Sequence, residues 1–442
     1  MPKRDRTIVE PTAPGDRIAR RSVQQDDVGA SIVLAVMQLN NVGGSGACDA
    51  AHRNDFIEVI KNGRLITYPP GTTIIQRGET DDCLYVILEG SVVVHTPEGA
   101  AIRLDKGSLV GQMAPLTEEP RNATVVAGDR TVSALAINKE TLFANPSVYH
   151  SLLGNGLRLQ GKTGTYELGR KLGEGMTAKV YAVHGDRYCA KVYKNVLRFE
   201  GDYVAKFIAE NFLELKHPNI INVYELIEAY GTHFLIMDRA RGVTVKKKTG
   251  EVVTCMTLRQ LIALHRAEGL RIGVARCGDM LRQIGGALQY THRHGYVHRD
   301  VKPENIFLDV RDGRIAFLLA DFGLALPIDT RPEKIAGTPQ YMAPETVDIE
   351  NPKTRIGAAA DFYALAVVCF EMLTGRRLFS GSGILEVVHQ HLYEQPDLSR
   401  LPVDTPKPLR RFIERSLRKN PEERPSPDEA AAFFAQACEE PL

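Results

Sequence analysis

Within "VHRDVKPENIF" (Val297 to Phe307), Asp300 and Asn305 stand five residues apart with Lys302 between them. "ADFGLAL" (Ala320 to Leu326) adds Asp321 beyond a turn containing "DVRDGR". Together these supply one carboxylate to orient a hydroxyl, an amide and a carboxylate to hold magnesium, and a cation for a transferred phosphate. That is the inventory of phosphoryl transfer, where positioning and charge neutralisation do most of the work. Upstream, "LGEGMTAKVY" (Leu172 to Tyr181) spaces Gly173, Gly175, Ala178 and Val180 around Leu172 and Glu174. Glycines admit backbone N–H groups close to phosphates. The same spacing occurs in ordinary hairpins, and the third small position here is alanine. "CAKVY" then sets Lys191, after Ala190, in an apolar strand-like run. A lysine there needs a counter-charge, because burying it unpaired is expensive. Substrate phosphates plus a helix carboxylate would satisfy it. Glu210 in "KFIAENFLELKHPNI" is the candidate carboxylate and Glu214 the alternative.

The elements that must position these groups follow from texture. The 442 residues leave room for two or three domains, and 43% hydrophobic with 25% charged residues is ordinary for a soluble globular chain. A net charge of +1 gives no signal for nucleic acid or membrane. Seven cysteines are scattered with no CxxC pair, which argues against a disulfide framework or zinc site and fits a reducing compartment, hence a cytoplasmic location. No apolar run reaches bilayer-spanning length. "VGASIVLAVMQL" (Val28 to Leu39) reads as a buried or partner-covered helix or strand, residues 1–27 as disordered, and "NNVGGSGA" as a linker. From Phe56 to Ile137, short β-branched runs such as "CLYVIL", "SVVVHT" and "AAIRLD" alternate with turns, predicting a small sandwich or roll. Leucines at helical spacing follow over Pro146 to Gln160. A β-rich section to Met237 then gives way to long helical patterns, an α+β arrangement.

The ordered elements "GEGMTAKV", "AKVY", "HPNI", "HRDVKPEN", "DFG", "GTPQYMAPE", "DFYALA" and Arg424–Pro425 resemble the eukaryotic-type protein kinase family over Tyr166 to Phe434. The resemblance implies ATP and Mg2+. It makes Asp300 the catalytic base, Lys302 the group that steadies the transferred phosphoryl, and Asn305 and Asp321 the magnesium ligands. Lys191 holds the nucleotide phosphates under the loop Leu172, Gly173, Glu174, Gly175, Ala178 and Val180, with Ala190 and Glu210 beside it. Met237 stands at the back of the nucleotide pocket, and Asp238 to Arg241 connect the lobes. Glu345 with Arg424 resembles the ion pair that braces the large lobe, and Asp361 the helix aspartate under the catalytic loop. Lys302 and "GTPQY" resemble the serine/threonine branch. Residues 242–256 look like a hairpin insertion whose lysines (246–248) form a solvated surface rather than a docking site. Arg299 would bind a phosphate on Thr330, with Thr338 the other hydroxyl of the segment.

"GQMAPLTEEPRNATV" (Gly111 to Val125) and the strands before it resemble the cyclic-nucleotide-binding domain family over about Asp55 to Gln160. The resemblance places the ligand against Gly111, Gln112, Met113, Ala114, Arg121, Asn122 and Ala123. Backbone N–H groups at a short helix and the Arg121 fork take the cyclic phosphate. Gln112 stands where the family carries glutamate, so the ribose contact loses charge assistance. Pro115 removes one N–H. Glu118 and Glu119 would hold Arg121 in the empty pocket. Asn122 leaves cyclic AMP and cyclic GMP both open.

A sensor ahead of a kinase resembles the layout of cyclic-GMP-dependent protein kinases, with a single sensor. The expected fold is a multidomain β-roll followed by an α+β bilobal kinase. Residues 1–50 are a flexible region, 51–160 the roll and 161–437 the kinase, with lobes 166–238 and 239–437. The expected function is a serine/threonine kinase inhibited in cis by the empty sensor and released by ligand. The alternatives are a ligand-free docking or homodimerisation roll on an active kinase, and a non-catalytic scaffold. The link "GKTGTYE" is short enough to favour direct coupling. Ser22, after paired arginines in "RIARRSVQQ", reads as an autophosphorylation site or an inhibitory segment, with Glu304 meeting an upstream arginine.

Overall fold

The computed structural model describes residues 19–22, 59–96, 99–112, 114, 120–144, 158–174, 178–183, 185, 187–193, 215–229, 232–331, 335–348, 351 and 354–437. The expectations for Val28 to Leu39, for the linker at 40–47 and for the helix over 146–157 lie outside these residues. So do Met113, Pro115, Glu118, Glu119, Gly175, Glu210 and Glu214. The chain divides into two units. One is drawn from Met1–Ala209 and Tyr224–Met237, the other from Glu210–Val223 and Asp238–Leu442.

The first unit carries the roll. Its strands are β1 (Ala19–Ser22), β2 (Arg64–Tyr68), β3 (Thr73–Ile75), β4 (Leu84–Glu89), β5 (Ser91–His95), β6 (Ala101–Asp105), β7 (Leu109–Val110), β8 (Thr124–Ala127) and β9 (Val132–Ile137). They pair as a five-stranded sheet, β1-β2-β9-β4-β7, and a four-stranded sheet, β3-β8-β5-β6. Alternate residues point inward, as the two-residue period of a strand requires. Ile66, Tyr68, Ile75, Tyr85, Ile87, Val92, Val125 and Val132 thus share one buried core drawn from both sheets. A short helix, α1 (Lys139–Ala144), follows β9.

Two expectations are corrected here. Ala19–Ser22 does not belong to a disordered tail: it is an edge strand, running from Ala19 opposite Thr67 to Ser22 opposite Arg64. Its charged composition hid this, because edge pairing is made by backbone groups and basic residues suit an exposed edge. Arg158–Gln160 is not the end of a helix but β10 (Arg158–Gln160), with Leu159 opposite Tyr166. One leucine between two polar residues fits a period of two as well as it fits a helix, and burial of Leu159 decides the matter.

β10 opens a second sheet with β11 (Thr165–Glu174), β12 (Ala178–Val183), β13 (Tyr188–Tyr193), β14 (Val223–Ala229) and β15 (Thr232–Asp238), in the order β10-β11-β12-β13-β15-β14. The short link "GKTGTYE" forms a hairpin turn and the start of β11. Gly161 N donates to Gly164 O at 2.9 Å. Buried Glu225 accepts from Lys162 N at 2.8 Å, Thr163 Oγ1 at 3.0 Å and Tyr166 Oη at 2.6 Å. Burial alone would raise the Glu225 carboxyl, but these donors hold it below its usual range.

The second unit is mostly helical. After the hairpin β16 (Val243–Lys246) and β17 (Val252–Cys255) comes α2 (Leu258–Ala267), started by a capping box between Thr257 and Gln260. α3 (Val274–Arg293), α4 (Ala358–Thr374), α5 (Ile384–Tyr393), α6 (Lys407–Ser416) and α7 (Pro427–Gln436) follow. α4 is apolar nearly all round and buried from Ala360 to Leu373, as a central helix must be. Between α3 and α4 lie β18 (Tyr296–Val297), β19 (Ile306–Arg311), β20 (Arg314–Leu319) and β21 (Leu326–Pro327). The β19–β20 turn is Asp312–Gly313, both with positive φ (51° and 72°), the two-residue turn that matches strand twist. Among the described residues, no helix is long and apolar enough to cross a membrane.

Candidate functional site

The loop after β18 is fixed from below by Asp361, in the first turn of α4. Its Oδ2 accepts from His298 N and from His292 Nε2, each at 2.8 Å, and its Oδ1 accepts from Arg299 N at 2.9 Å. Burial opposes the charge on Asp361, yet the hydrogen bonds and charge of His292 outweigh it and hold the carboxyl below its usual range. The turn this imposes puts Arg299 at φ 67°, a left-handed conformation uncommon outside glycine.

Asp300 is 9% exposed. Asn305 Nδ2 donates to its main-chain O and its Oδ2, both at 2.9 Å. Thr338 Oγ1 donates to Asp300 Oδ1 at 2.9 Å and accepts from Lys302 Nζ at 2.7 Å. Lys302 Nζ also lies 2.6 Å from Asp300 Oδ2. The structure thus gathers Asp300, Lys302, Asn305 and Thr338 around one carboxylate. Asp321 follows β20, also left-handed at φ 67°. Ala320 N donates to Asn305 O at 2.9 Å, so Asp321 is the next residue along from a direct bond to the loop. With Asn305 Nδ2 committed to Asp300, its Oδ1 remains for ligation. An amide oxygen and a carboxylate are the hard oxygen donors that suit magnesium.

Most of the remaining described candidates lie on the strands of the first unit. Gly173 and Glu174 pair with Val180 and Lys179 across an irregular β11–β12 register, and Val180 faces Lys191 across β12–β13. Lys191, Ala190 and Ala178 are buried, whereas Leu172 and Met237 are half-buried. Glu174 takes Lys171 Nζ at 2.9 Å. Asp238, in the second unit, accepts from Asn222 Nδ2 at 2.8 Å.

Three contacts and one arginine with nitrogens unpartnered among the described residues surround the Asp300 loop. Arg424 grips Glu345 through Nη1 at 2.6 Å and Nη2 at 2.8 Å. Thr330 is tied by its backbone to Ile356. Arg299 keeps Nε and Nη2 buried with no partner among the described residues, and burial lowers its pKa. Glu304, expected to meet a substrate arginine, is engaged by the chain itself: Arg259 Nε donates to its Oε1 at 2.7 Å. Sequence reasoning missed Arg259, because its partners lie 45 and 112 residues away and no motif marks it.

In the roll, Arg121 is 4% exposed, and its fork faces the chain's own acceptors. Nη1 donates to Gly111 O at 2.8 Å, and Nη2 donates to Asp81 Oδ2 at 2.8 Å and Cys83 O at 2.5 Å. Gly111 has φ 78°, and a Cβ there would sit 2.5 Å from Arg121 Nη1, so both backbone and approach require glycine. Asp81 also accepts from Tyr85 Oη and Cys83 N, each at 2.9 Å. Burial works against its charge, but Arg121 and these donors hold the carboxyl low. Asp81 was the overlooked residue, and the acidic pair opening "DDCLYVIL" was its only signal. Ala114 is buried, and Gln112, Asn122 and Ala123 are half-buried beside it in sequence.

Residues 166–435, more than half of the chain, match the protein kinase domain. The chain belongs to the protein kinase family. Ahead of the kinase domain, residues 65–144 match the cyclic nucleotide-binding domain. The chain is 35% identical over 279 residues to the serine/threonine-protein kinase PkaA of Streptomyces coelicolor, covering 62% of this chain and 47% of that protein. It is 33% identical over 277 residues to PknA of Mycobacterium tuberculosis, covering 59% and 58%. It is 30% identical over 273 residues to PrkC of Bacillus subtilis, covering 59% and 38%. The match thus spans about half the length of these relatives.

Proposed function

We propose that this chain is an ATP-dependent kinase of serine and threonine in protein substrates, regulated by cyclic nucleotide at the roll. The observation that carries the first part is the set of contacts on Asp300. A carboxylate held by Asn305, Thr338 and Lys302 is placed to accept a hydroxyl proton as the oxygen attacks phosphorus. Asn305 and Asp321 would hold Mg2+, which supplies charge neutralisation on the phosphates. Lys191 and the strands from Leu172 to Val180 would bind the nucleotide, with Met237 at the back of its pocket. Lys302 keeps a positive charge beside the base, where the transferred group gathers negative charge. Thr338 fixes the base's orientation. Residues 51–160 and 161–437 are the working domains. Arg299, with buried nitrogens among the described residues that lack acceptors, supports phosphate capture from Thr330. Buried free cysteines support a reducing, cytoplasmic setting. Phosphate transfer from ATP to a general protein acceptor by the full chain, absent from Asp300→Ala, tests this reading.

For the roll, the pairing of Arg121 with Asp81 supports a two-state pocket, in which cyclic AMP or cyclic GMP replaces an internal carboxylate. The hairpin that joins β10 to β11 supports control in cis, since β10, within residues 51–160, pairs directly with a strand of the kinase sheet. A second reading, a roll that binds no nucleotide, draws on the same bonds, because both terminal nitrogens of Arg121 are already bonded and Gln112 offers no charge. Calorimetry with both nucleotides, followed by activity titrations with Arg121→Ala as control, separates the two.

A further inference from the structure

Arg259 sits in the first turn of α2, and its guanidinium is filled by groups from three other elements. Nε donates to Glu304 Oε1 at 2.7 Å. Nη1 donates to Glu371 Oε1 at 2.6 Å and Nη2 to Glu371 Oε2 at 3.2 Å. Nη2 also donates to Tyr341 Oη. Tyr341 in turn donates to Glu371 Oε2 at 2.6 Å. Glu371 belongs to the buried face of α4, and Glu304 Oε2 is buried without a partner among the described residues.

The place of this cluster matters. Glu304 lies four residues beyond Asp300, and Tyr341 lies three beyond Thr338, whose hydroxyl bonds Asp300. A chain reaches at most about 3.6 Å per residue, so Glu304 is within about 14 Å of the base. An extended substrate advances about 3.3 Å per residue, so this acidic cluster addresses side chains within about four positions of the phosphoacceptor. Two carboxylates there are the chemistry that reads an arginine, whose planar fork matches them. In this chain that fork is supplied from within.

We infer that Arg259 is a built-in substitute for a substrate arginine and sets the substrate preference of the enzyme. The wild-type kinase then gains nothing from an arginine shortly before the acceptor, and its substrates are not basic-directed. Without Arg259, Glu304, Glu371 and Tyr341 form an open acidic pocket that selects basic peptides. This inference rests on the kinase reading above. The paired arginines before Ser22 then give that site no advantage as a substrate.

The test compares kcat/KM of the full chain on serine peptides that differ only in arginine or alanine two and three positions before the acceptor. The wild-type ratio should stay within about threefold, and Arg259→Ala should raise it by about tenfold or more. Adding Glu304→Gln to Arg259→Ala should return the ratio toward one. Each ratio is taken on one preparation, so lost folding lowers both peptides alike. Should Arg259→Ala not fold, Glu304→Gln alone decides: the inference requires an unchanged ratio, and a selective loss on the arginine peptide overturns it. A wild-type ratio above about ten, or an Arg259→Ala ratio equal to wild type, also overturns it. Wild-type transfer to a general protein acceptor shows that the kinase reading stands while the ratio is judged; no transfer to any acceptor sinks both.

Discussion

Arg121 in the roll and Arg299 beside Asp300 are the two arginines proposed to meet an anion, and their surroundings differ. Arg121 has both terminal nitrogens bonded, to Asp81, Cys83 O and Gly111 O. Arg299 has Nε and Nη2 buried without an acceptor among the described residues, and burial works against its charge. A ligand reaching Arg121 must replace bonds that already exist, so binding there is an exchange. An anion reaching Arg299 relieves a cost that the fold carries, so binding there is a gain. On the proposed reading, one site would hold two states and the other would be completed.

Four experiments break or sharpen this contrast, in order of expected size. Asp300→Asn should lower phosphate transfer by about 10²- to 10⁴-fold through loss of the base, while calorimetric nucleotide binding to the roll is unchanged. Loss of both would show that the two sites are not separable.

Acid should reach the two units in different windows. His391 is buried against Tyr363 and Gln340, and burial pushes its pKa down from 6.5 to about 4. The unfolded chain takes up that proton first, so stability present above pH 6.5 is lost as pH falls toward about 4. The loss is on the order of 3 kcal/mol. Asp81 has a lowered pKa, so its contribution is present above the unfolded value of 3.8 and is lost only as pH falls below it. Hydrogen exchange between pH 7 and 5 should show the helical unit weakening while the roll holds. His391→Asn should flatten that slope.

Arg121→Ala strips the cation from Asp81 and leaves the carbonyls of Gly111 and Cys83 without this donor. It should cost the roll about 2–4 kcal/mol, read from protection of β4 and β8 amides. Arg299→Met removes a cation with unsatisfied nitrogens and should change stability by about 1 kcal/mol or less, in either direction. Equal losses in the last two variants would erase the contrast.

Much of the fold was legible because its signals are local. The alternation in "CLYVIL" and "SVVVHT", the "DG" turn before β20 and the apolar run of α4 each act within a few residues. β1 and β10 were not legible. Each is a short polar-rich segment whose strand state depends on a partner elsewhere, β2 for one and β11 for the other. The surroundings of Arg121 were not legible: Asp81, which the structure pairs with it, lies 40 residues away.

The sequence by itself determined that Asp300, Lys302 and Asn305 come together, because they are close along the chain and their bonds span at most five residues. It also determined the order of the domains, since each carries its own motifs. Only the tertiary structure decided what those charges face. Asp81 meets Arg121 across 40 residues, Asp361 meets the backbone of His298 across 63, and Arg259 meets Glu371 across 112. A buried charge must find a counter-charge, but which one depends on how sheets and helices bring distant segments together.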